Sequence, residues 1–458
     1  MQVTRNKEKY MQINSNQTFS SKPRNDYSFK AKKQNEVHSL INTNRMVDSF
    51  ISLAKVDSGS NEKVAEKQIP STNGQKTLAK MLEEQLRKLN LNNVEVDEHS
   101  IVTATLESNI GENSPIVGLF AHMDTSPDSP NKNVKPQIHD YKGGDIKLAN
   151  GTVIPSGDLK DCIGKRIITS NGKTLLGADD KAGIAEILEV MNVYKENPEL
   201  KHPKIRIAFT PDEETGMGID EFDIKRFGAD FAYTIDGDLP SIIENESFNA
   251  FNPEIIIKGK NVHPGYAYNK MVNSITIANK FINELPQNQT PSTTKGRQGY
   301  FHVEQIKGKE DETKIGMLLR DFDYTKAQKR IEFLQNLAKR IQDENSGCSI
   351  KINPNEKYHN MKESLDGLTE VVEYAKEGIK RTGLKAKTMA IRGGTDGSEL
   401  SLRGLVTPNL GAGGRNFHSK TEFLPIEDMT KCAENIINII TIWAENSAKI
   451  MPKILLRR

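Results

Sequence analysis

Residues 116–124 have the sequence Ile-Val-Gly-Leu-Phe-Ala-His-Met-Asp. The first five form a short apolar run, which is typical of a strand buried on both faces, and a histidine and an aspartate follow just past its end. Further along, residues 182–193 have the apolar spacing of an amphipathic helix, whereas residues 205–209 and 231–235 are typical of strands. This alternation predicts an α/β fold, with a mostly parallel sheet and helices on both faces.

A chain of 458 residues is longer than one hydrophobic core usually organises, so we expect at least two domains. Between residues 250 and 358 the pattern changes to β-α-β-β-α-β, the order of a ferredoxin-like α+β unit. Because candidate site residues occur on both sides of this segment, we interpret it as a domain inserted into a catalytic domain. That catalytic domain is formed by residues 43–249 and 359–448.

Both ends of the chain differ in composition from the rest. Residues 1–42 are rich in Lys, Asn, Ser and Gln and poor in clustered apolar side chains, which predicts a disordered basic extension. An import role for this extension stays open, because its basic bias resembles that of a transit peptide, although acidic residues interrupt it. Residues 449–458 form a short basic tail.

The composition argues against several classes of protein. The 63 basic and 61 acidic residues nearly balance, at a formal charge of +2, and give no global field for attracting nucleic acid or anionic lipid. No apolar run approaches the roughly 18–20 residues of a membrane span. The three cysteines, Cys162, Cys348 and Cys432, lie outside any CxxC pattern, which favours a reduced compartment. We therefore expect a cytoplasmic protein that binds neither nucleic acid nor membrane.

His122 and Asp124 are the first candidate site residues. In an extended segment they point to the same side, while Met123 turns toward the core. A metal-bound imidazole usually donates its second N–H to a carboxylate, so we predict that His122 binds a metal and that Asp124 orients it. The alternative for this pattern alone is a core histidine beside an unrelated acid.

Two acidic tandems come next. Asp179 and Asp180 precede a helix, so Asp180 can cap free amide donors while Asp179 faces the cleft as a carboxylate shared by two metals. A plain helix cap is the alternative. Glu213 and Glu214 follow a strand, where adjacent carboxylates raise each other's pKa unless cations neutralise them. We predict Glu214 as a ligand and Glu213 as the base that takes a proton from water, against the alternative of a solvated acidic turn.

Asp236 and His418 complete the set of candidate metal ligands. Taken alone, each would be interpreted as an ordinary turn or loop residue. Two divalent ions about 3.5–4 Å apart need terminal ligands for each ion and one shared carboxylate. Carboxylate and imidazole ligands without thiolate suit Zn²⁺, with Co²⁺ or Mn²⁺ as substitutes. The predicted metal ligands are His122, Asp179, Glu214, Asp236 and His418.

These motifs resemble those of the peptidase T family, the tripeptide aminopeptidases among the dinuclear zinc exopeptidases. The resemblance extends over most of the chain but not over its two ends. Its most particular motifs are Thr-Leu-Leu-Gly-Ala-Asp-Asp-Lys-Ala-Gly at residues 174–183 and Arg-Gly-Gly-Thr-Asp-Gly at residues 392–397. Further matching segments lie at residues 121–128, 209–214, 261–265, 320–323 and 417–423.

The resemblance implies how the ligands divide between two zinc ions. His122, Asp179 and Asp236 would hold one ion, and Asp179, Glu214 and His418 the other. The first glutamate of its tandem would be the general base, and the aspartate of the His-x-Asp segment a supporting acid.

The resemblance also makes the inserted domain a lid and the surface of a homodimer. On this domain, His263 would polarise the scissile carbonyl or stabilise the oxyanion, a role that needs a donor aimed at the developing charge. Arg320 and Arg392 would be candidates for gripping the terminal carboxylate of the peptide through paired hydrogen bonds.

We therefore expect a metallo-aminopeptidase that releases the N-terminal residue from tripeptides and holds two Zn²⁺ per subunit. A related dinuclear metal amidohydrolase or dipeptidase is the alternative, since its metal chemistry would be the same. A non-catalytic peptide-binding scaffold would have lost the base or a ligand, whereas Glu213 and all five predicted ligands are present.

Overall fold

The apolar run at residues 116–120 lies in the middle of an eight-stranded sheet. The computed structural model describes residues 37–458. Its strands are β1 (Asn92–Val96), β2 (Val102–Leu106), β3 (Ile116–His122), β4 (Gln137–Asp140), β5 (Ile146–Lys147), β6 (Val153–Ile154), β7 (Arg166–Thr169), β8 (Lys204–Thr210), β9 (Phe231–Gly237), β10 (Ile242–Glu246), β11 (Asn249–Phe251), β12 (Glu254–Lys258), β13 (Tyr300–Gly308), β14 (Glu312–Asp321), β15 (Ser349–Asn353), β16 (Glu356–Tyr358), β17 (Lys387–Ala390), β18 (Asn409–Gly411) and β19 (Phe423–Pro425).

Helices lie before, between and after these strands in the described part of the chain. They are α1 (Thr43–Ala54), α2 (Glu62–Ala65), α3 (Asn73–Lys88), α4 (Ala178–Glu196), α5 (Ile224–Phe227), α6 (Ser274–Asn283), α7 (Tyr324–Glu344), α8 (Glu370–Arg381), α9 (Asp396–Leu402), α10 (Ile426–Glu445) and α11 (Ser447–Leu455). Single 3₁₀ turns cover Glu213–Thr215, Pro264–Tyr266 and Met361–Leu365.

The main sheet has the strand order β1-β2-β8-β3-β9-β18-β10-β17. Its centre is parallel, because β3 pairs in parallel with both β8 and β9, and β18 pairs in parallel with β9. Antiparallel pairs join β1 to β2, β2 to β8, and β10 to β18. This arrangement confirms the predicted mostly parallel sheet.

Residues of β3 alternate between two buried faces of the sheet. Leu119 and Ala121 belong to the large core on the face where helix α4 packs. Phe120 points to the opposite face, where its ring lies 5.3 Å from that of Phe222 and 5.0 Å from that of Phe227, measured between centroids. Leu400 of helix α9 belongs to this second cluster. Helices therefore cover both faces, which explains why the run in β3 is almost wholly apolar.

An aromatic stack ties the C-terminal helices to the sheet. The ring of Trp443 in α10 lies 4.0 Å from that of Phe231, and its Nε1–H donates to the Tyr233 hydroxyl at 3.0 Å. That hydroxyl donates in turn to the carbonyl oxygen of Val371 at 2.7 Å. The polar ends of these buried rings are thus satisfied, as burial of Trp and Tyr requires.

A second sheet has its own core. Its order is β15-β12-β14-β11-β16, and β13 pairs with β14. Along the chain, the elements from β12 to β15 run β-α-β-β-α-β, as predicted for residues 250–358, while the short strands β11 and β16 were not predicted. Helices α6 and α7 pack on this sheet around Phe281, Ile315, Leu319 and Leu334. The boundaries of an inserted domain remain a prediction.

The folded part of the chain extends beyond the predicted limits at both ends. Most of the predicted extension, residues 1–36, lies outside the described residues, but residues 37–40 are helical. Val37 and Leu40 pack against the core, and their spacing is that of one helix face. The segment predicted as a basic tail lies largely in α11, whose buried apolar residues are Ile450, Met451 and Ile454. Within residues 37–458, no helix is both long and apolar enough to cross a membrane.

Candidate metal centre

The candidate ligands gather at one edge of the main sheet. His122 ends β3, the Glu213–Thr215 turn follows β8, and Asp236 lies near the end of β9. Because these three strands are parallel, their carboxyl ends meet at the same edge, where open α/β sheets bind ligands. The loop after β18, which is parallel to β9, brings His418 to the same place.

Asp179 lies between the two histidines. Its Oδ1 is 2.8 Å from His122 Nε2, and its Oδ2 is 3.2 Å from His418 Nε2. His122 Nε2 also lies 3.5 Å from Asp236 Oδ1, and His418 Nε2 lies 2.8 Å from Glu214 Oε2. The five predicted ligands therefore form two groups that share one carboxylate.

Asp124 contacts both His122 and the acidic turn. Its Oδ1 lies 3.3 Å from His122 Nδ1, and Met123 between them is buried in the core, as the sequence predicts. Asp124 is fully buried and also accepts the backbone N–H of Glu213 at 3.0 Å and of Glu214 at 3.2 Å. One carboxylate thus contacts the imidazole, as the sequence predicts, and also holds the amides of the two glutamates, a link that the sequence did not reveal.

Asp180 caps the helix that follows it. Its carboxylate accepts the N–H of Gly183 at 3.1 Å and that of His122 at 3.2 Å. The Asp179–Asp180 peptide bond is cis, and regular helical backbone begins only after Asp180. Oxygens of Asp180 also lie within 4.8 Å of ligand atoms of His122 and Asp236. Because both its oxygens already accept backbone amides, Asp180 is less suited than Asp179 to bind a metal.

Asp212 comes directly before the Glu213–Thr215 turn and links it to Ser71 and Gln75. It has a left-handed backbone, with φ of 52°, and is fully buried. Its carboxylate accepts the Ser71 N–H at 2.6 Å, the Ser71 hydroxyl, and Gln75 Nε2 at 2.7 Å. This anchor aims Glu213 and Glu214 at the cleft. Sequence reasoning missed it, since no local pattern joins residues 141 positions apart.

A cavity of about 390 Å³ opens over these residues. Such a volume suits a small ligand. Two of its acids, Asp396 and Glu399, were not predicted as site residues, although Asp396 lies in the motif at residues 392–397. The lining consists of Asp179, Glu213, Glu214, Gly216, Asp236, Tyr358, Gly394, Thr395, Asp396, Glu399 and His418.

Burial of so many carboxyl groups shifts their pKa values upward. Burial, reinforced by Asp179, raises the pKa of Glu214 to about 8. Burial also raises the pKa of Asp236 to about 6 and, with added repulsion from Asp236, that of Glu213 well above its ordinary value. The Oε1 atom of Glu214 is buried and lacks a hydrogen-bond partner among residues 37–458. These carboxylates need cations or protons to share the cavity, so the donor set fits divalent metal ions.

The pKa values of the two histidines are also raised, but by neighbouring carboxylates rather than by burial. Hydrogen bonds to Asp179 and Glu214 raise the pKa of His418 to about 11. Burial would lower the pKa of His122, but Asp236, Asp124 and Asp179 outweigh it and raise that pKa well above its ordinary value.

His263, Arg320 and Arg392, which the resemblance links to the scissile carbonyl and the terminal carboxylate, do not line this cavity. His263 is exposed, and its Nδ1 accepts the Gly265 N–H at 3.1 Å. Arg320 donates to the carbonyl oxygen of Phe251 and lies 5.9 Å from the ring centroid of Tyr358, which does line the cavity.

Arg392 is held by a neighbouring loop. Its guanidinium donates to the carbonyl oxygens of Gly296 and Gln298, each at 2.8 Å, and to Thr294 Oγ1 at 2.9 Å. It lies 5.2 Å from the ring centroid of Phe248. Its donors are therefore engaged beside the cavity lining rather than within it.

Known proteins resemble the chain in sequence and in structure. A model of peptidase family M20/M25/M40 matches residues 172–441. A peptidase T from Clostridium botulinum is 43% identical over 405 residues, which cover 87% of this chain and 99% of that protein. A tripeptidase from Staphylococcus aureus has a similar structure, with a TM-score of 0.70, 25% identity, and coverage of 89% of this chain and 100% of that one. A dinuclear metal binding peptidase from Bacillus subtilis shares the fold, with a TM-score of 0.60, 16% identity, and coverage of 90% and 99%.

Two of these similarities extend far enough to assign the family. The family model matches more than half of the chain, and the clostridial relative aligns along nearly its whole length. The chain belongs to peptidase family M20/M25/M40 and, within it, to the peptidase T group, and it is a hydrolase of the metallo-aminopeptidase class.

Proposed function

We propose that this enzyme releases the N-terminal residue from tripeptides and that two zinc ions bind its cavity. One ion is assigned to His122, Asp179 and Asp236, and the other to Asp179, Glu214 and His418. The observation that carries the proposal is that each Asp179 oxygen faces a different histidine, at 2.8 and 3.2 Å. Nitrogen and oxygen donors without thiolate favour Zn²⁺, with Co²⁺ or Mn²⁺ as substitutes.

Zinc binding is expected to release protons at pH 7. In the metal-free protein, the pair of Glu214 and His418 holds at least one proton at that pH, because burial raises the pKa of Glu214 and hydrogen bonds to Asp179 and Glu214 raise that of His418. This proton must leave before both residues can act as ligands, so the apparent affinity for zinc rises with pH. Calorimetric titration of zinc in buffers of different ionisation enthalpy counts the protons. A binding heat independent of the buffer would contradict the assignment.

The chain's own residues supply the proton transfers. Two bound divalent ions would polarise the scissile carbonyl and acidify water. Glu213 takes the proton of the attacking water and returns it to the leaving amine. Its Oε1 accepts the backbone N–H of Asp396 at 3.3 Å, which holds the carboxylate over the cavity and leaves Oε2 for the proton. His263 donates to the carbonyl oxygen only after the second sheet and its loops close over the cleft.

Glu213→Gln is expected to keep both metals but to lower turnover by at least about 10²–10⁴-fold, the range typical of general-base removal. Glutamine keeps the shape and can still accept the Asp396 N–H, but it cannot take a proton from water. The exposed Glu221 provides a matched control, since Glu221→Gln makes the same chemical change outside the cavity lining. Metal content and kcat are measured for both. Near-normal hydrolysis by a fully metallated Glu213→Gln enzyme would refute the assignment.

The acidic wall of the cavity would favour a substrate whose amino terminus is free and positively charged. Beyond the ligands and the base, Asp396 and Glu399 add two carboxyl groups to its wall. Burial raises their pKa values to about 8 and about 7, and a neighbouring ammonium would favour their ionised forms. A peptide ammonium lies one carbon from the scissile carbonyl, so it would meet this wall when the carbonyl meets the metals. An acylated amino acid lacks that charge, which sets the proposal apart from the amidohydrolase alternative.

The terminal carboxylate of the peptide would be bound by a positively charged side chain. We assign recognition of the terminal carboxylate to Arg320 or Arg392, because a guanidinium makes paired, charge-assisted hydrogen bonds to a carboxylate. Arg320 is next to the cavity through Tyr358, and Arg392 precedes the lining residues Gly394 and Thr395 in sequence. If an arginine binds this carboxylate at a fixed distance from the metals, only peptides of one length would place their first peptide bond at the metals.

A tripeptide with both ends free is therefore expected to be cleaved faster than its carboxy-amidated or amino-acetylated form. Loss of one charge-assisted contact costs about 1.5–3 kcal/mol, or about ten- to a hundredfold in kcat/KM. Arg392→Ala should erase the preference for the free carboxylate, and Arg320→Ala is the paired comparison. Equal rates for all three peptides with the unaltered enzyme would favour the amidohydrolase alternative.

We propose in addition that the enzyme is a homodimer formed through strand β13. Among the described strands, β13 pairs only with β14, so its other edge offers free backbone donors and acceptors. Residues 304–308 of this edge are exposed, and the side chain of Ile306 is 51% exposed. Antiparallel pairing with β13 of a second copy would provide partners for these donors and acceptors, and the two copies would be related by a two-fold axis.

Ile306→Lys is expected to convert the dimer to a monomer, because a charged side chain on the edge would face its own copy. Sedimentation velocity measures the change. Val153→Lys, at a 42% exposed position in the separate two-stranded sheet, is the control and should leave the oligomeric state unaltered. A sedimentation coefficient shared by all three proteins would contradict the role of β13.

A cytoplasmic location also remains a proposal. It is supported by Cys162, Cys348 and Cys432, which are buried and unpaired in the structure. Free thiols persist most readily in a reducing compartment.

A further inference from the structure

We propose that Glu422 is a positioning residue for the metal centre, which acts by holding the backbone that carries Asp179. The inference rests on the two-metal site proposed above. Asp179 is the carboxylate that the two histidine groups share, so a small displacement of its backbone would disturb both groups at once.

Glu422 accepts three backbone N–H groups from the segment that leads to Asp179. Its Oε2 accepts those of Leu176 at 2.6 Å and Gly177 at 2.8 Å, and its Oε1 accepts that of Asp179 itself at 3.2 Å. The residue is 1% exposed. A buried carboxylate with so complete a set of donors is fixed in place, and it fixes the donors equally.

The contact joins two distant parts of the chain. Glu422 lies 243 residues after Asp179 but only four residues after His418, and Phe423 begins the short strand β19, which pairs with β7. The loops that carry Asp179 and His418 are therefore bound to each other beside the ligands. Gly177, with φ of 81°, gives this backbone the left-handed turn that aims consecutive N–H groups at one anion.

Only a carboxylate matches this donor set. Glutamine has one oxygen and one NH₂ group, so one orientation would face its NH₂ toward the Asp179 N–H and the other toward the Leu176 and Gly177 N–H groups. Either orientation leaves a buried N–H without an acceptor. Glu422→Gln therefore releases at least one anchor of this backbone while it preserves side-chain volume.

The test measures metal binding rather than turnover. Metal-free enzyme is titrated with zinc against a chromophoric chelator, and the unfolding temperature is recorded with and without zinc. Glu422→Gln is expected to weaken zinc binding by about 10–100-fold, as for other groups that orient ligands, with loss at both positions. The rise in unfolding temperature that zinc produces should shrink, whereas a purely structural role would lower both temperatures and leave their difference unaltered.

Glu427→Gln is the matched control. Glu427 lies on the same segment and accepts the backbone N–H of Arg166 at 2.9 Å, but its side chain is 42% exposed and it holds no ligand loop. Its zinc affinity should equal that of the unaltered enzyme. If Glu422→Gln cannot be purified folded, Glu422→Asp replaces it, since a side chain one methylene shorter cannot reach all three amides.

Two results are distinguishable. If the unaltered enzyme binds two zinc ions and a folded Glu422 variant binds them as tightly, only the positioning role is overturned. If the unaltered enzyme itself fails to bind two ions, the proposed metal centre fails, and this inference fails with it.

Discussion

Repulsion between buried carboxylates is the constraint on which the rest of the site depends. Asp179, Glu213, Glu214 and Asp236 line one cavity, and burial raises the pKa of the last three above their ordinary values. A chain would not gather these groups for stability alone, because each must hold a proton or meet a cation. The two histidines partly supply that positive charge, and divalent ions would supply it in full. The fold must therefore hold the carboxylates together against their own repulsion.

The parallel centre of the sheet does most of this holding. Strands β3, β8 and β9 are buried on both faces, so their ends cannot shift without disturbing two cores. Where a ligand leaves a strand for a loop, another buried carboxylate restrains it. Asp124 accepts the amides of Glu213 and Glu214, Asp212 accepts those of the α3 region, and Glu422 accepts those before Asp179. Carboxylates thus have two roles here: some are the proposed metal ligands, and others fix the backbone that carries those ligands.

The sequence predicted the sheet and the ligands for different reasons. Apolar runs and helical spacing are local, so residues 116–120 and 182–193 were assigned from their immediate neighbours. The ligands stood out because His122, Asp179 and Glu214 lie in short motifs just past such elements. The supports did not stand out. Ser71 and Asp212 are 141 residues apart, and Glu422 is 246 residues from Leu176, so only the folded structure brings each pair together. Helix α11 was missed because its basic residues conceal the spacing of Ile450, Met451 and Ile454.

The proposed metal centre and two of the residues proposed to contact the substrate, His263 and Arg320, lie on different parts of the molecule. The two ligand groups and Glu213 are complete on the main sheet and its loops, whereas His263 and Arg320 belong to the second sheet and its loops. Such a division would let the metal centre stay rigid while the residues proposed to contact a peptide move with their own core. It would also account for the exposure of His263 while the five predicted ligands already lie together. In the proposed mechanism, a donor for developing charge is needed only once a substrate bridges the two parts, so the metal centre would be built in advance and the contact of His263 with the carbonyl would form on closure.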